Sequence, residues 1–568
     1  MKLHINNMMK CSKKSVYTFA MCLAAATALT SCGDSFLETT SKSTLTAGTA
    51  QSQKQAQQEL IGCYDGYQTV FGYGNVSIQL ASEVMSDNCF AGGGTGDNTN
   101  YESIDRFDKG YVANNNILES TWKLYYSAIN RCNTLIQSEN TTQWTDSTTK
   151  KNVLGQARAL RALCYFDLTR LFGSVPLLTS PSVDKAAEAK PADIYELIAG
   201  DLKYAADNIS LGAYSSSWAE SNKGLISEWA AKALLARVYL FYTGFYKAEL
   251  TSVTKSEVLA GLEDIISKGG FSLVSDFSTL WPCSSRTAAA SGYTWATDKY
   301  AGESNKEVLF AVEFDSSTDQ DASINSVSVS TNNNGFVCMS SIRNFYKAPY
   351  GKGWGVCSVN PKLWTAYSSD DTRRVSSIIS MDNEKVTSQD GWDDVTDWRE
   401  YTGYVQKKYS VECYADGKDN CTVENSSASF QYNQGQDYII MRYADVLLMA
   451  AEMGSPSAQT YYNMVRDRAF GDTSHRKDVT EDNILEERRL EFAFEGQRYW
   501  DLLRVKGLQG AAAILANNQN QTSVMNGTAN GTITVSSANI IGKGGLCQKP
   551  YNQITMMGTD YLTQNTGW

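Results

Sequence analysis

The 568 residues contain two histidines, His4 and His475. Imidazole-assisted nucleophilic chemistry would have to rest on His475, and a histidine-rich zinc centre has no ligand set. His475 lies in GDTSHRKDVT, a polar connector that reads as a solvated loop. Carboxylates are plentiful. In ILEERRLEFAFEGQRYWDLLR, Arg488, Glu491, Glu495, Arg498 and Asp501 fall at offsets of three and four, the spacing of ion pairs along one helix. That pattern reads as a solvated or bridging face, because the acid and base of a glycosidase must flank a substrate across a cleft. Asp370, Asp371, Asp393 and Asp394 are the remaining acids for such an enzyme. Gly92 to Gly94 and Gly96 lack the Lys-Ser or Lys-Thr of a phosphate cradle, and the Asp/Asn clusters lack EF-hand spacing. No metal or cofactor is expected. Six of the twelve tryptophans, Trp281, Trp295, Trp354, Trp364, Trp392 and Trp398, crowd into one irregular third of the chain. Indoles with glycine and polar neighbours there suit flat binding platforms.

The N-terminus carries Lys10, Lys13 and Lys14 before an apolar run from Val16 to Thr30. That run is shorter than the ~20 residues a membrane span needs and has the layout of a secretory signal. Thr30 and Ser31 directly before Cys32 resemble the lipobox of bacterial lipoproteins. The resemblance implies removal of residues 1–31 and lipidation of Cys32, with several acyl chains, since one alone holds weakly. Loss of the four leader lysines takes the formal charge from −11 to −15, which argues against nucleic acid or anionic lipid surfaces as partners. Eleven of the thirteen cysteines follow the leader and none forms a C-x-x-C pair. Cys63, Cys132 and Cys164 fall on apolar helical stripes and read as buried thiols. Cys413 and Cys421 flank an Asp-Gly-rich segment and are the candidates for a small loop disulfide.

The elements that must position these residues are mostly helices. Leu60, Tyr64, Tyr67 and Phe71 line one helical face, as do Leu118, Trp122, Tyr125, Ile129 and Cys132. Ala157, Leu160, Cys164, Leu168 and Leu171 run to Gly173 and Pro176, a helix stop. Pro191 opens another helix at its first turn. Short connectors between long amphipathic helices predict tetratricopeptide-like stacked hairpins, although no clean 34-residue repeat is present. From Phe271 to Gln436 the helical period gives way to Gly, Ser and Asn mixed with aromatics and to strand-like runs such as EVLFAVEF and SVSVS. Helical order is expected again in YIIMRYADVLLMAAEMG and in ILEERRLEFAFEGQRYWDLLRVKG. A Gly/Asn/Thr-rich tail from Ala516 onward is expected to wrap as extended chain. The fold class is therefore mainly α, with an irregular, loop-rich, partly β insertion. The divisions are 1–31 signal, 32–270 helical region, 271–436 aromatic-rich region and 437–568 C-terminal helical region and tail.

The motifs SCGDSFLE, QARALRALCYFDLTRLFGSVPLL, NKGLISEWAAKALLARVYLF, EVLFAVEF, YIIMRYADVLLMAAEM, ILEERRLEFAFEGQRYWDLLR and LTQNTGW occur in that order. Together they resemble the SusD/RagB-like outer-membrane lipoproteins of Bacteroidota, surface glycan-binding partners of TonB-dependent transporters. QKPYNQITMM and RVKG depart from the family's usual Pro-Ile-Pro and Arg-Trp-Gly stretches. The resemblance implies a cell-surface outer-membrane lipoprotein without catalytic activity that binds glycan and closes over a SusC-like transporter; some relatives take protein-derived ligands. It also implies a ligand site built from the loop after an early SE…D segment and from loops of the middle region. In ASEVMSDNCFAGGGTGDNTNY the first offers Asp87, Asn88, Phe90, Asp97, Asn98 and Tyr101. The second offers Trp281, Tyr293, Trp295, Tyr300 and Trp354. Trp295 and Trp354 have polar and glycine neighbours that favour exposure, whereas FSTLWP allows Trp281 to dock inward and Trp122 and Trp229 lie on core stripes. A carboxylate-pair glycosidase and a peptide-binding or purely structural transporter subunit are the alternatives.

Overall fold

Ser52 opens the first helix, α1 (Gln53–Gln68), with a capping box: its hydroxyl accepts from Gln55 N while the Gln55 side chain takes the Ser52 N–H. The computed structural model describes residues 51–568 except 73–76, 93–97, 182–184, 287–298, 315–320, 325–326, 331–332, 344–348, 385–401, 413–429, 432–433, 520 and 526–527. The expected stripe of α1 faces inward, with Leu60, Tyr67 and Phe71 buried and Tyr64 half-buried. A short helix α2 (Ile78–Met85) follows, then α3 (Asn116–Gln137), α4 (Ser147–Phe172), α5 (Pro191–Asn208), α6 (Glu228–Tyr246) and α7 (Lys255–Lys268). Successive long helices pack side by side, α3 on α1, α4 on α3, α5 on α4, α6 on α5 and α7 on α6. The sequence supplies the stops: Gly173 ends α4 at φ +71°, a conformation glycine adopts without strain, and Pro191 occupies the first turn of α5. Cys63, Cys132 and Cys164 are buried thiols inside this stack.

Further along the chain come α8 (Tyr443–Glu452), α9 (Ala458–Phe470), α10 (Glu481–Glu491) and α11 (Arg498–Gln519), the last interrupted at Gly507, besides several helices of two turns or fewer. α8 joins the stack against α7, and α11 crosses α6. That crossing is close enough that a Cβ on Gly244 would sit 2.7 Å from the Arg504 carbonyl. Between the helical parts, two antiparallel strand pairs tie distant segments together: β1 (Cys89–Ala91) with β3 (Cys357–Val359), and β2 (Val308–Val312) with β4 (Tyr438–Arg442). Both SVSVS and EVLFAVEF form strands as expected. No helix among the described residues is long and apolar enough to cross a membrane.

Three expectations are corrected. YIIMR is strand rather than helix: five successive buried residues cannot share one helical stripe, and they pair with the equally buried VLFAV. The tail beyond Ala516 is not simply extended; α11 runs on to Gln519, a strand pair spans Gln521–Met525 and Thr528–Ile533, and short helices occupy Ser537–Gly542 and Tyr551–Met557. It does dock onto the helical stack, through Cys547 N to Leu171 O (2.8 Å) and Glu188 N to Tyr561 O (2.8 Å).

The third correction concerns the Arg/Glu motif. It is two helices, α10 and α11, separated by a break in which Phe494 (φ +66°) and Gly496 (φ +70°) turn the chain. Its charges are mostly buried and pair chiefly between elements, with Asp501–Arg504 (2.9 Å) a pair of the expected kind along α11. Arg442, at the end of β4, reaches Glu307 (2.9 Å), both oxygens of Glu495 (2.8 and 2.9 Å) and Glu491. Arg373 binds Asp371, Glu487 (2.6 Å) and Glu491 (2.9 Å), and Arg488 joins Asp445 to Asp501. The Glu491 carbonyl at the α10 C-terminus accepts from Arg442 Nη2 and Lys408 Nζ, so cations satisfy the helix end that the break leaves open. Burial alone would raise the Glu491 carboxyl, but Arg468, Arg442 and Arg373 outweigh it and hold the group well below the usual range. Removing one member strands the others in the interior. Arg442→Met is expected to lower unfolding free energy by about 3–5 kcal/mol, read as a shift of the urea midpoint.

Candidate functional site

The early segment SEVMSDN is anchored from below by this network. Glu83 Oε1 accepts from Gly496 N (2.8 Å) in the α10–α11 break. Asp87 takes both Nε (2.8 Å) and Nη2 (3.1 Å) of Arg498, lies 3.1 Å from Arg489 Nη2 and accepts from the Asn518 amide (2.7 Å). Burial pushes the Asp87 carboxyl up, yet Arg498 and Arg489 pull it well below the usual carboxylate range. Asn88 accepts from Arg489 Nε at 3.2 Å, and its carbonyl accepts from Asn360 N. The chain then enters β1, whose partner β3 follows directly on the stretch YGKGWG. Gly92 N donates to Val356 O at 2.8 Å, extending the pairing beyond the strands.

Two parts of the sequence more than 250 residues apart are thereby placed together: Gly92 and the stretch that carries Trp354. The glycines of YGKGWG explain how the tryptophan is held. Gly353 N, Trp354 N, Gly355 N and Val356 N donate to Ile342 O (2.6 Å), Cys338 O (2.9 Å), Ser341 O (2.8 Å) and Met339 O (2.8 Å). The backbone lies so close to that neighbouring turn that a Cβ on Gly353 would be 2.3 Å from the Cys338 carbonyl, and Gly355 has φ +61°. Trp354 is half-buried, its ring 5.6 Å from Phe430 at 51°. Arg343 lies 6.0 Å from the Trp354 ring centroid and Lys352 5.2 Å from that of Phe430. Trp354 Nε1 is buried with no hydrogen-bond partner among the described residues. Asn98 sits at the loop base with φ +55°, its amide 3.3 Å from Gly92 O. Phe430 and Arg343 were not legible as site residues, since they become neighbours of Trp354 only through the fold, whereas Lys352 lies in YGKGWG itself.

Several residues expected to touch ligand lie away from the surface. Phe90 (2% exposed), Tyr101 (4%) and Trp281 (1%) are buried, as is Asn88. Phe90 belongs to a strand covered on both faces. Trp281 docks inward, as FSTLWP allowed, with Phe277 at 5.4 Å and the Lys408 ammonium 4.4 Å over its ring. These four are covered and offer almost nothing to solvent. Tyr300 is half-buried beside the turn that carries Trp281, where Ala301 N donates to Thr279 O. Asp97, Tyr293 and Trp295 lie outside the described residues, as do Cys32, Cys413 and Cys421. His475 is less free than its loop suggested: Nε2 is 2.7 Å from Asp370 and the ring stacks on Phe470 at 4.0 Å. Among the described residues, no group of three or more His, Cys, Asp or Glu is placed to hold a metal ion.

This architecture recurs in known proteins. Residues 378–568 match the sequence profile of the SusD family, and residues 35–240 match that described as starch-binding, associating with the outer membrane. SusD-like protein P2 of Formosa agariphila is 28% identical over 69% of this chain and 72% of its own. In structure, surface glycan-binding protein A from Bacteroides fluxus superposes with a TM-score of 0.70 at 24% identity, covering 91% of this chain and all of the other. The Bacteroides thetaiotaomicron surface glycan-binding protein A, solved in complex with laminarihexaose, gives 0.68 at 22% identity over 90% and 99% of the two chains. The chain belongs to the SusD/RagB family.

Two measurements probe the site's foundations. Gly353→Ala forces apart the clamp under Trp354 and is expected to cost about 1–3 kcal/mol in urea unfolding. Burial raises the Glu83 carboxyl from its ordinary 4.5 to about 7, against the opposing pull of the Gly496 amide and Lys408. The folded state therefore holds this proton more tightly than the unfolded chain, so the contribution is full below pH ~4.5 and is lost as pH rises toward 7. Subtracting the Glu83→Gln stability profile from that of the parent should reveal a decline of about 3 kcal/mol across that window.

Proposed function

We propose that this protein is a cell-surface lipoprotein, tethered through Cys32 after removal of residues 1–31, that captures glycan and passes it to a partner TonB-dependent transporter. The observation that carries the reading is the glycine-clamped Trp354, half-exposed beside Phe430 and next to the base of the 92–98 loop. A pyranose ring lays its C–H face on such a ring pair while hydroxyls find polar partners at the rim. Asn98 and Tyr300 belong to this rim in the proposal, together with Asp97, Tyr293 and Trp295. Asn88, Phe90, Tyr101 and Trp281 act as its supports. The 271–436 region is then the recognition part of the chain, flanked by helical regions that hold it. Family membership and the laminarihexaose-bound relative support a carbohydrate ligand, and the net negative charge suits a neutral glycan better than an acidic one.

Affinity electrophoresis through gels containing laminarin, starch, xylan or galactomannan, followed by titration calorimetry, tests the reading. At least one polysaccharide should retard the protein, and Trp354→Ala should weaken that binding by tenfold or more, about 1.4 kcal/mol, without lowering the melting temperature. Retention of full affinity in Trp354→Ala would contradict the site, and release of reducing sugar by the purified chain would replace capture with hydrolysis.

A further inference from the structure

Arg373 and Arg374 are neighbours in one short helix, Thr372–Ser377, yet they are used in opposite ways. Arg373 is fully buried and bonded to three carboxylates. Arg374 takes no carboxylate among the described residues; its single hydrogen bond is a long one, Nη2 to Ser369 O at 3.3 Å, and Nε has no partner. Its guanidinium carbon instead lies 4.6 Å from the centroid of the Trp364 ring. Trp364 in turn stacks on Tyr404, 5.3 Å away at 29°, and both rings are half-buried.

Three separate elements deliver this group: the helix Pro361–Ala366 carries Trp364, the helix Thr372–Ser377 carries Arg374, and Tyr404 begins the strand Tyr404–Gln406 that pairs with Ile378–Ser380. Val375, the next residue of that helix, is 49% exposed. A cation–π contact near the surface contributes only modestly. That leaves most of the hydrogen-bonding capacity of a planar five-donor fork unspent at a surface aromatic pair. A sugar matches both halves, with C–H bonds for the rings and vicinal hydroxyl oxygens for the fork. Burial raises the Tyr404 hydroxyl and the Asp382 charge adds to it against the pull of Arg374, so an acid and a base both act on this spot and neither sign of ligand charge is singled out.

We propose that Trp364, Tyr404 and Arg374 form a second glycan subsite, which takes one pyranose unit of a neutral polysaccharide. This rests on the reading of the Trp354 surface as a glycan site and adds to it a second point of attachment, which strengthens the hold on long chains more than on short ones.

The test uses the full chain and whichever polysaccharide of the laminarin, starch, xylan and galactomannan panel retards it, with the hexasaccharide of that polymer. Calorimetry should count two hexasaccharides per chain. Arg374→Ala and Trp364→Phe should each reduce the count to one and weaken binding of the polymer by about tenfold, with melting temperatures unchanged. Because Arg374 holds no ion pair among the described residues, its substitution reports even if changes at Trp364 disturb folding. A count of one in the parent, with Arg374→Ala matching its polymer affinity within twofold, overturns the second subsite while leaving the first intact. Absence of binding to every polymer in the panel overturns the glycan reading and this subsite with it.

Discussion

Arg442 is fully buried and is bonded to three carboxylates, Glu307 beside β2 and Glu491 and Glu495 at the α10–α11 break. An isolated guanidinium in that position would be strongly disfavoured, and so would any one of the acids without it. The cost of burial is offset only when all the partners arrive, which ties β2, β4 and the α10–α11 break into one arrangement. Arg373, Arg468 and Arg488 extend the same logic to α8, α9 and the middle region. Such a network specifies geometry more than it adds stability, since ion pairs of this kind gain little over apolar packing but tolerate few alternatives.

The consequence for function is indirect. Most of the network is buried, but Glu83 and Asp87 adjoin it, and they fix the segment that leads into β1. β1 pairs with β3, β3 follows YGKGWG, and the glycines of that stretch let its backbone lie flat against the turn at Cys338 to Ile342. Trp354 is therefore displayed by a chain of rigid backbone contacts that begins at buried charges. Lys408 illustrates the strain of the interior: burial lowers its ammonium to about 8 despite Glu495, and it fills its donors on Glu495, the Glu491 carbonyl and the Trp281 ring. A surface held this way needs little reorganisation to receive a flat ligand.

The helical stack was legible because its signals are local. Capping residues, Gly173, Pro191 and the three-four stripes of Leu60 to Phe71 and Ala157 to Leu171 each act within a few residues of where they are written. YIIMR was misread because a continuous apolar run has no period to separate strand from buried helix. The motif around Glu491 was misread for a related reason: offsets of three and four are equally present when the partners lie on other elements, and the left-handed turn at Phe494 has no sequence signature beyond Gly496. The candidate site was half legible. Trp354 could be singled out from its glycines, while Phe90, Tyr101 and Trp281 look identical in composition and are buried by pairings with segments far away in sequence. Phe430 and the Trp364–Tyr404–Arg374 group depend wholly on such long-range placement.

A crystal structure of the protein soaked with the oligosaccharide it binds measures the central claim directly, because the account separates the rings that touch ligand from those that only support. Density for a pyranose ring against Trp354 and Phe430, with Asn88, Phe90, Tyr101 and Trp281 still covered, is the expected result. A sugar seated elsewhere, or one that reaches Asn88 or Trp281 by displacing the charges beneath them, would contradict it.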